Sequence, residues 1–142
     1  MSQVKPIFVE ISPGELLDKI TILQLKQQRI TDPAKLHHVL VELASLEQVR
    51  DQALTSSPEL ERLTAELLAV NADIWDIVDG MHHCEQTGDF GPRFVELARA
   101  VHRQNDQRAR IKRQINELLG SRLMEEKGYQ SWGANLGRDS AR

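Results

Sequence analysis

The sequence predicts an all-α protein: a four-helix antiparallel bundle with long third and fourth helices and a short extended segment at its N-terminus. Apolar residues recur at steps of three and four over long segments, which is the helical period. Four of the five prolines also follow residues suited to a helix N-cap, and proline fits the first turn because its missing N–H would be unpaired there. These pairs are Ser12-Pro13, Asp32-Pro33, Ser57-Pro58 and Gly91-Pro92.

The segment before the first helix, from Ile7 to Ile11, is rich in β-branched and aromatic residues and is therefore predicted to be extended. It has no second strand to pair with in this chain, so it either pairs across a dimer or forms an extended arm. The first helix begins with Ser12 and Glu15 at capping-box spacing. It is predicted to end near Arg29.

The second helix follows Asp32-Pro33, and its apolar repeat continues to Leu46. The third helix follows Pro58. Its apolar residues alternate in steps of three and four for three heptads, which is typical of a coiled-coil seam. Gly88 suits its C-terminal cap, because glycine readily adopts the left-handed conformation found there.

The fourth helix begins at Pro92 and is predicted to extend toward Lys127, unless Gly120-Ser121 kinks it or ends it earlier. Beyond Lys127, glycine and serine are frequent and the helical period disappears. We therefore predict a single helical domain over residues 1–127 and an irregular C-terminal tail over residues 128–142.

Charge predicts how the helices pack. Residues 33–91 contain 3 basic and 11 acidic side chains, whereas residues 92–127 contain 9 basic and 5 acidic ones. Helix four should therefore lie against the acidic middle of the chain. The long hairpin of helices three and four is expected to project beyond helices one and two. Its open apolar seam then needs a second subunit, and we expect a homodimer.

Composition excludes several classes of protein. A net charge of -3 gives no overall attraction to nucleic acid or to anionic lipid, so neither is an expected partner. No apolar run approaches the roughly 18 residues that span a bilayer. The first residues lack the basic and apolar regions of a signal peptide. With Cys84 as the only cysteine, a reducing compartment fits, and we expect a cytoplasmic protein.

One local conflict interrupts the apolar stripe of helix four, where Asn105, Arg108 and Lys112 occupy its centre. Cations that face a bundle cost several kcal/mol to bury unless something neutralises them. A carboxylate from another helix would do so, with Glu15 or Glu42 favoured as the partner of Arg108. A bound carboxylate or phosphate ligand would do so as well. The internal ion pair is the favoured alternative, and both remain open.

If the cations bind a ligand, the tentative ligand-binding residues are Asn105, Arg108, Lys112, Glu15 and Lys19. We predict no metal site and no cofactor. Glu15 and Asp18 have the carboxylate spacing that some helical enzymes use for magnesium, as does the series Asp73, Asp76 and Asp79. The aspartate series lies opposite the apolar seam, however, so a solvated acidic face is the favoured interpretation.

Two other groups carry weaker signals. His82-His83-Cys84 offers metal-ligand atoms, but adjacent helical residues point about 100° apart and do not readily share an ion. No acid–base arrangement supports Cys84 as a nucleophile. Arginines line the outer face of helix four, but Asp106 and Glu117 interrupt them at salt-bridge spacing. A nucleic-acid interface is therefore not expected.

Two segments resemble a bacterial protein family of unknown function. One is SPGELLDKITIL, from Ser12 to Leu23, and the other runs from Phe94 to Tyr129 and includes the pattern ND-x-R-x-x-I-K. The resemblance implies a bacterial protein from the neighbourhood of cell-surface polysaccharide and glycosyltransferase functions, and it assigns no catalytic residue. A likeness in architecture alone connects the chain to the all-α chorismate mutases, whose buried arginine and lysine side chains hold a dicarboxylate.

The leading hypothesis is a non-catalytic helical interaction or accessory protein linked to bacterial cell-surface polysaccharide synthesis. The alternative is a small all-α enzyme or binder of an anionic metabolite, a carboxylate or phosphate, that uses Arg108 and Lys112. The sequence does not decide whether the protein is an enzyme. An open pocket at the two cations favours a ligand, whereas a paired and closed cluster favours an interaction protein.

Overall fold

The computed structural model describes residues 3–129. Within these residues the chain forms four helices and no strand, so the predicted all-α fold is confirmed. Each helix begins at the proline that the sequence indicates. In chain order the helices are α1 (Pro13–Arg29), α2 (Pro33–Ala53), α3 (Pro58–Thr87) and α4 (Pro92–Leu118).

Side-chain caps explain where three of the helices begin. Ser12, Asp32 and Ser57 have extended backbones, and a side-chain oxygen of each accepts a hydrogen bond from the N–H three residues later, at 3.0–3.1 Å. Each bond satisfies one N–H that the first turn of a helix leaves unpaired. Gly91 has no side chain to offer, so α4 begins with proline alone.

Changing Ser12 to Ala is expected to lower the free energy of unfolding by about 1 kcal/mol, because the N–H of Glu15 then loses its acceptor. Urea titration measures the change. Ser56→Ala is the matched control, since Ser56 is exposed and its hydroxyl bonds only to the exposed side chain of Glu61. Equal losses in the two variants would contradict a capping role for Ser12.

Helix α1 is the centre of the bundle. Its backbone approaches all three other helices, whereas α2 approaches only α1. Helices α3 and α4 form the second hairpin and pack most extensively on each other. The buried apolar cluster draws side chains from all four helices, among them Leu17, Ile20, Leu43, Leu67, Ile111 and Ile115.

The α3–α4 hairpin projects past α1, as the sequence predicts. Helices α3 and α4 have 30 and 27 residues against 17 in α1, which at 1.5 Å per residue is about 45, 40 and 25 Å. Helix α1 runs antiparallel to the C-terminal half of α4, because Gly14 contacts Asn116 while Asp18 contacts Arg108. Between residues 72 and 105 only Cys84 is buried. The distal half of the hairpin therefore has almost no core of its own.

Helix α4 ends at Leu118. The predicted extension to Lys127 is therefore wrong, and the alternative, an earlier end at Gly120-Ser121, is confirmed. Gly120 has a φ of +66°, a conformation that favours glycine. The N–H of Ser121 then bonds back to the carbonyl of Asn116 at 2.8 Å and closes the last turn. The following residues fold back along α4, and we call residues 119–129 the strap.

The predicted tail over residues 128–142 lies almost wholly outside the described residues, and the single-domain boundary stays a prediction. Within residues 3–129, no helix combines the length and apolar character that crossing a bilayer requires.

Candidate functional site

The polar residues at the centre of α4 meet α1 in a buried ion-pair cluster. Arg108 donates from Nε to Oδ1 of Asp18 at 2.9 Å and from Nη2 to Oδ2 of the same carboxylate. The Asp18 side chain is only 2% exposed. The sequence predicts Glu15 or Glu42 as the partner of Arg108, and that prediction is wrong. Glu42 is exposed on α2, and Glu15 lies one turn away along α1.

Glu15, a predicted partner of Arg108, pairs instead with Lys112. The Nζ of Lys112 lies 2.8 Å from Oε2 of Glu15, 3.1 Å from Oε2 of Glu125 and 3.8 Å from Oδ2 of Asp18. Helix α1 runs antiparallel to α4. Glu15, one turn before Asp18, therefore meets Lys112, one turn after Arg108. The ammonium group is therefore surrounded by three carboxylates, and its side chain is 7% exposed.

Helix α3 supports the carboxylate of Asp18 from the other side. Asn71 donates from Nδ2 to Oδ1 of Asp18 and to Oγ1 of Thr21, both at 3.0 Å. All three residues are buried. Neither Asn71 nor Thr21 is predicted from the sequence to be part of the cluster. One signal in the sequence could have identified them. Each is a polar residue next to an apolar residue of the core, Ile20 before Thr21 and Val70 before Asn71.

The charges of the cluster stabilise one another. Burial by itself raises the pKa of Asp18, but hydrogen bonds from Arg108 and Asn71 and the charges of Arg108 and Lys112 outweigh burial and hold that pKa below its usual value. Burial likewise lowers the pKa of Lys112, but hydrogen bonds to Glu15 and Glu125 and the charge of Asp18 raise it overall. Asp18 and Lys112 therefore both remain ionised at neutral pH.

The strap closes one side of the cluster. Lys127 bonds to Oδ1 of Asp106 at 2.7 Å and lies over the ring of Tyr129, 5.0 Å from its centroid. Arg113 bonds to Glu126 at 2.7 Å. These contacts hold the strap along α4 in the opposite chain direction, so that Glu125 reaches Lys112.

A polar cleft with a volume of about 340 Å³ opens between α4 and the strap. Arg108 is 30% exposed there, and its Nη1 makes no hydrogen bond within residues 3–129. The cluster is thus paired at its base and open at one edge. The residues that line the cleft are Asn105, Arg108, Ala109, Lys112, Glu125, Lys127 and Tyr129.

The structure brings four of the five tentative ligand-binding residues together. Asn105, Arg108 and Lys112 line the cleft. Glu15 does not line it but bonds to the ammonium group of Lys112. Lys19 is exposed on α1 and forms no ion pair with the other described residues. It follows Asp18 by one residue, so it points about 100° away from the cluster. Whether the four bind a ligand stays a prediction.

The remaining sequence signals lie elsewhere. No three His, Cys, Asp or Glu side chains converge in residues 3–129 so as to hold a metal ion. Cys84 is buried near the hairpin tip with a free thiol. Asp73 and Asp76 are exposed on α3, where they contact Gln104 and Arg29.

Comparison with known proteins assigns the chain to a family. No curated protein and no solved structure matches it. A family model matches residues 7–135, a range that contains all four helices, the buried cluster and the strap. Because this match covers most of the chain, it shows the family. The protein belongs to DUF6165, a family of unknown function.

Proposed function

We propose that this protein is a non-catalytic helical interaction protein that works as a homodimer, with the distal half of the α3–α4 hairpin as the dimer interface. The observation that carries the proposal is an open apolar face on that half, which we call the distal face. Its residues are Val78 and Met81 of α3 and Phe94, Ala98 and Val101 of α4.

The distal face continues the surface that α1 covers at the base of the hairpin. On α4, the stripe that holds Arg108 against α1 runs toward the N-terminus of the helix through the distal-face residues. On α3, Val78 lies two turns beyond Asn71, which contacts Asp18 of α1. Arg29, the last residue of α1, bonds to Asp76 of α3 at 2.7 Å. Beyond that contact this surface has no covering helix among the described residues.

The side chains of the distal face are only partly buried. Val78 is 36% exposed, and the other four side chains are half-buried. At the tip, Phe90 packs edge-on against Phe94 with ring centroids 5.5 Å apart, yet Phe90 remains 55% exposed. Two helices alone have no third element on which to bury such a face. A second hairpin would complete a four-helix bundle.

Charge favours a second copy of this chain as the occupant. Residues 73–87 of α3 carry four acidic side chains and no lysine or arginine, whereas residues 92–103 of α4 carry three arginines and one glutamate. A two-fold axis between two hairpins places α3 of one copy beside α4 of the other. Acidic and basic flanks then meet on both sides of the apolar face, so the surface is complementary to itself.

The buried cluster supports a structural role for the centre of α4. Arg108 and Lys112 each have carboxylate partners from α1, so the cluster clamps the short helix onto the hairpin. The pairing is the half of the arrangement that favours an interaction protein, whereas the open edge of the cluster favours a ligand. A bacterial source and an accessory role in cell-surface polysaccharide synthesis complete the proposal and are supported by the resemblance of the two motif segments. A cytoplasmic location is also part of it and is supported by the composition, with Cys84 as the only cysteine.

Changing Val78 to Asp is expected to convert the dimer to a monomer, because it places an unpaired charge in the centre of the apolar face. Sedimentation equilibrium at tens of micromolar should give twice the 16.1 kDa chain mass for the wild type and the chain mass itself for Val78→Asp. Val41→Asp is the matched control, since Val41 is 59% exposed on α2 and lies outside the distal face. It should remain a dimer.

A wild-type species of 16.1 kDa under these conditions would overturn the dimer. A dimer that survives Val78→Asp with an unchanged dissociation constant would show that the interface lies elsewhere. Loss of the dimer in Val41→Asp as well would contradict the assignment to the distal face.

A further inference from the structure

We propose that the cleft between α4 and the strap binds a small organic anion, a carboxylate or a phosphate, and that Glu125 occupies the position of that anion when no ligand is bound. This inference goes beyond the proposed dimer, because no distal-face residue lines the cleft. It assigns to the strap the role of a built-in competitor for the ligand.

Arg108 supplies a fixed anion-binding group. Two of its nitrogens bind Asp18, so the plane of the guanidinium is held in place by a buried residue. The third nitrogen, Nη1, has no partner among residues 3–129 and can donate to a ligand in the cleft. An arginine stays protonated at every relevant pH and donates in a fixed fork geometry. A donor that is oriented before binding does not lose rotamer freedom when the ligand arrives.

Further donors line the same cleft. Asn105 lies one turn before Arg108 on the same face of α4, and the strap adds Lys127 and the hydroxyl of Tyr129. Among the seven residues that line the cleft, three are cations and Glu125 is the only acid. The lining therefore favours a group that accepts several hydrogen bonds and carries negative charge.

Glu125 is the carboxylate that a ligand would replace. Its Oε2 lies 3.1 Å from Nζ of Lys112, but its side chain is 29% exposed and belongs to the non-helical strap. The other two partners of Lys112, Glu15 and Asp18, are on α1. An anion that exchanges with Glu125 brings at least one negative charge into the cleft, so the buried cations keep their compensation.

The strap does not depend on Glu125 for its position. The side chains on either side of it in sequence are tied to α4, since Glu126 bonds to Arg113 and Lys127 bonds to Asp106, both at 2.7 Å. The carboxylate of Glu125 can therefore turn toward water while the backbone of the strap stays in place. A volume of about 340 Å³ is at the lower end of the range for ligand pockets, which suits a small anion.

Glu125→Gln is expected to strengthen anion binding, because it removes the competing charge and keeps the shape of the side chain. The probes are inorganic phosphate and malonate, titrated separately by calorimetry at constant ionic strength. Each probe that the cleft accepts should bind at least tenfold more tightly to Glu125→Gln than to the wild type. Glu96→Gln is the matched control, since it removes the same charge from an exposed residue of α4 that neither lines the cleft nor bonds to the strap.

A second pair of changes locates the binding. Adding Asn105→Ala or Tyr129→Phe to Glu125→Gln should reverse most of the tenfold gain, because each removes a donor from the cleft. Equal affinities of Glu125→Gln and Glu96→Gln for both probes would overturn the inference. A gain that survives both added changes would place the anion outside this cleft and would overturn it as well.

Discussion

Changing Arg108 to Ala is expected to lower the free energy of unfolding by about 3–5 kcal/mol, because it leaves a buried carboxylate without its bidentate partner. Asp18 is 2% exposed, so water does not readily take the place of the guanidinium. What remains for Asp18 is the amide of Asn71 at 3.0 Å and the ammonium of Lys112 at 3.8 Å. Urea titration at neutral pH measures the loss.

Two further variants test the cause. Arg110→Ala removes an exposed arginine from the same helix and should change the stability by no more than about 0.5 kcal/mol. Adding Asp18→Asn to Arg108→Ala should restore part of the lost stability, because no charged carboxylate is then left unpaired. An unchanged melting temperature in Arg108→Ala would contradict the buried pair. A higher one would mean that Arg108 is an uncompensated charge in the ligand-free protein.

At acidic pH, the free energies of unfolding of wild type and Arg108→Ala are expected to become more similar. The pKa of Asp18 is held below its usual value in the folded protein. Such a group contributes stability that is complete above the unfolded pKa of about 3.9 and is lost as the pH falls through the folded pKa. The stability gap between the two proteins is therefore expected to be full at neutral pH and to shrink below about pH 4.

Changing Gly14 to Ala is expected to cost about 2–4 kcal/mol, which is the opposite of what helix propensity alone predicts. In an open helix, alanine is favoured over glycine by up to about 1 kcal/mol. At Gly14, however, a Cβ would lie 2.5 Å from the backbone oxygen of Lys112 and 2.8 Å from Oδ1 of Asn116. Overpacking of this kind costs about 1–3 kcal/mol. Displacing α1 also weakens the buried 2.8 Å bond from the Gly14 N–H to Asn116.

Gly80→Ala provides the comparison for Gly14→Ala in a second helix. A Cβ at Gly80 would meet the ends of two side chains, Leu97 at 3.0 Å and Arg93 at 3.8 Å, and both ends can move. We expect its unfolding free energy to stay within about 1 kcal/mol of wild type. If denaturant titration shows Gly14→Ala to be as stable as Gly80→Ala, then α1 and α4 do not approach as closely as the structure indicates.

The same close approach explains why the site could be predicted only in part. The conflict in the apolar stripe of α4 was enough to locate Arg108 and Lys112 against the bundle. Choosing between Glu15 and Asp18 as the partner of Arg108 requires the position of α1 along α4 to within one turn, about 5.4 Å. That position is set by the contact of Gly14 with α4, which is a tertiary feature with no local sequence signal.

The cleft was missed for a different reason. A helix that continued past Leu118 would carry Glu125 about 20 Å along the axis from Lys112. The turn at Gly120 reverses the chain and brings the two side chains to 3.1 Å. The helix starts, in contrast, depend on caps within a few residues of each proline. Local chemistry of that kind is visible in the sequence, and three of the four starts rest on it.

The central position of α1 also sets an order of events during synthesis. Asp18 and Arg108 are 90 residues apart in the chain, so at roughly 5–20 residues per second a ribosome needs roughly 5–20 s to travel between them. Until α3 has been made, the apolar side of α1 has one neighbour within reach, α2, whose backbone approaches no other helix in the finished fold. Helix α2 thus acts as a cover for the nascent α1, in place before the hairpin that completes the core has been made.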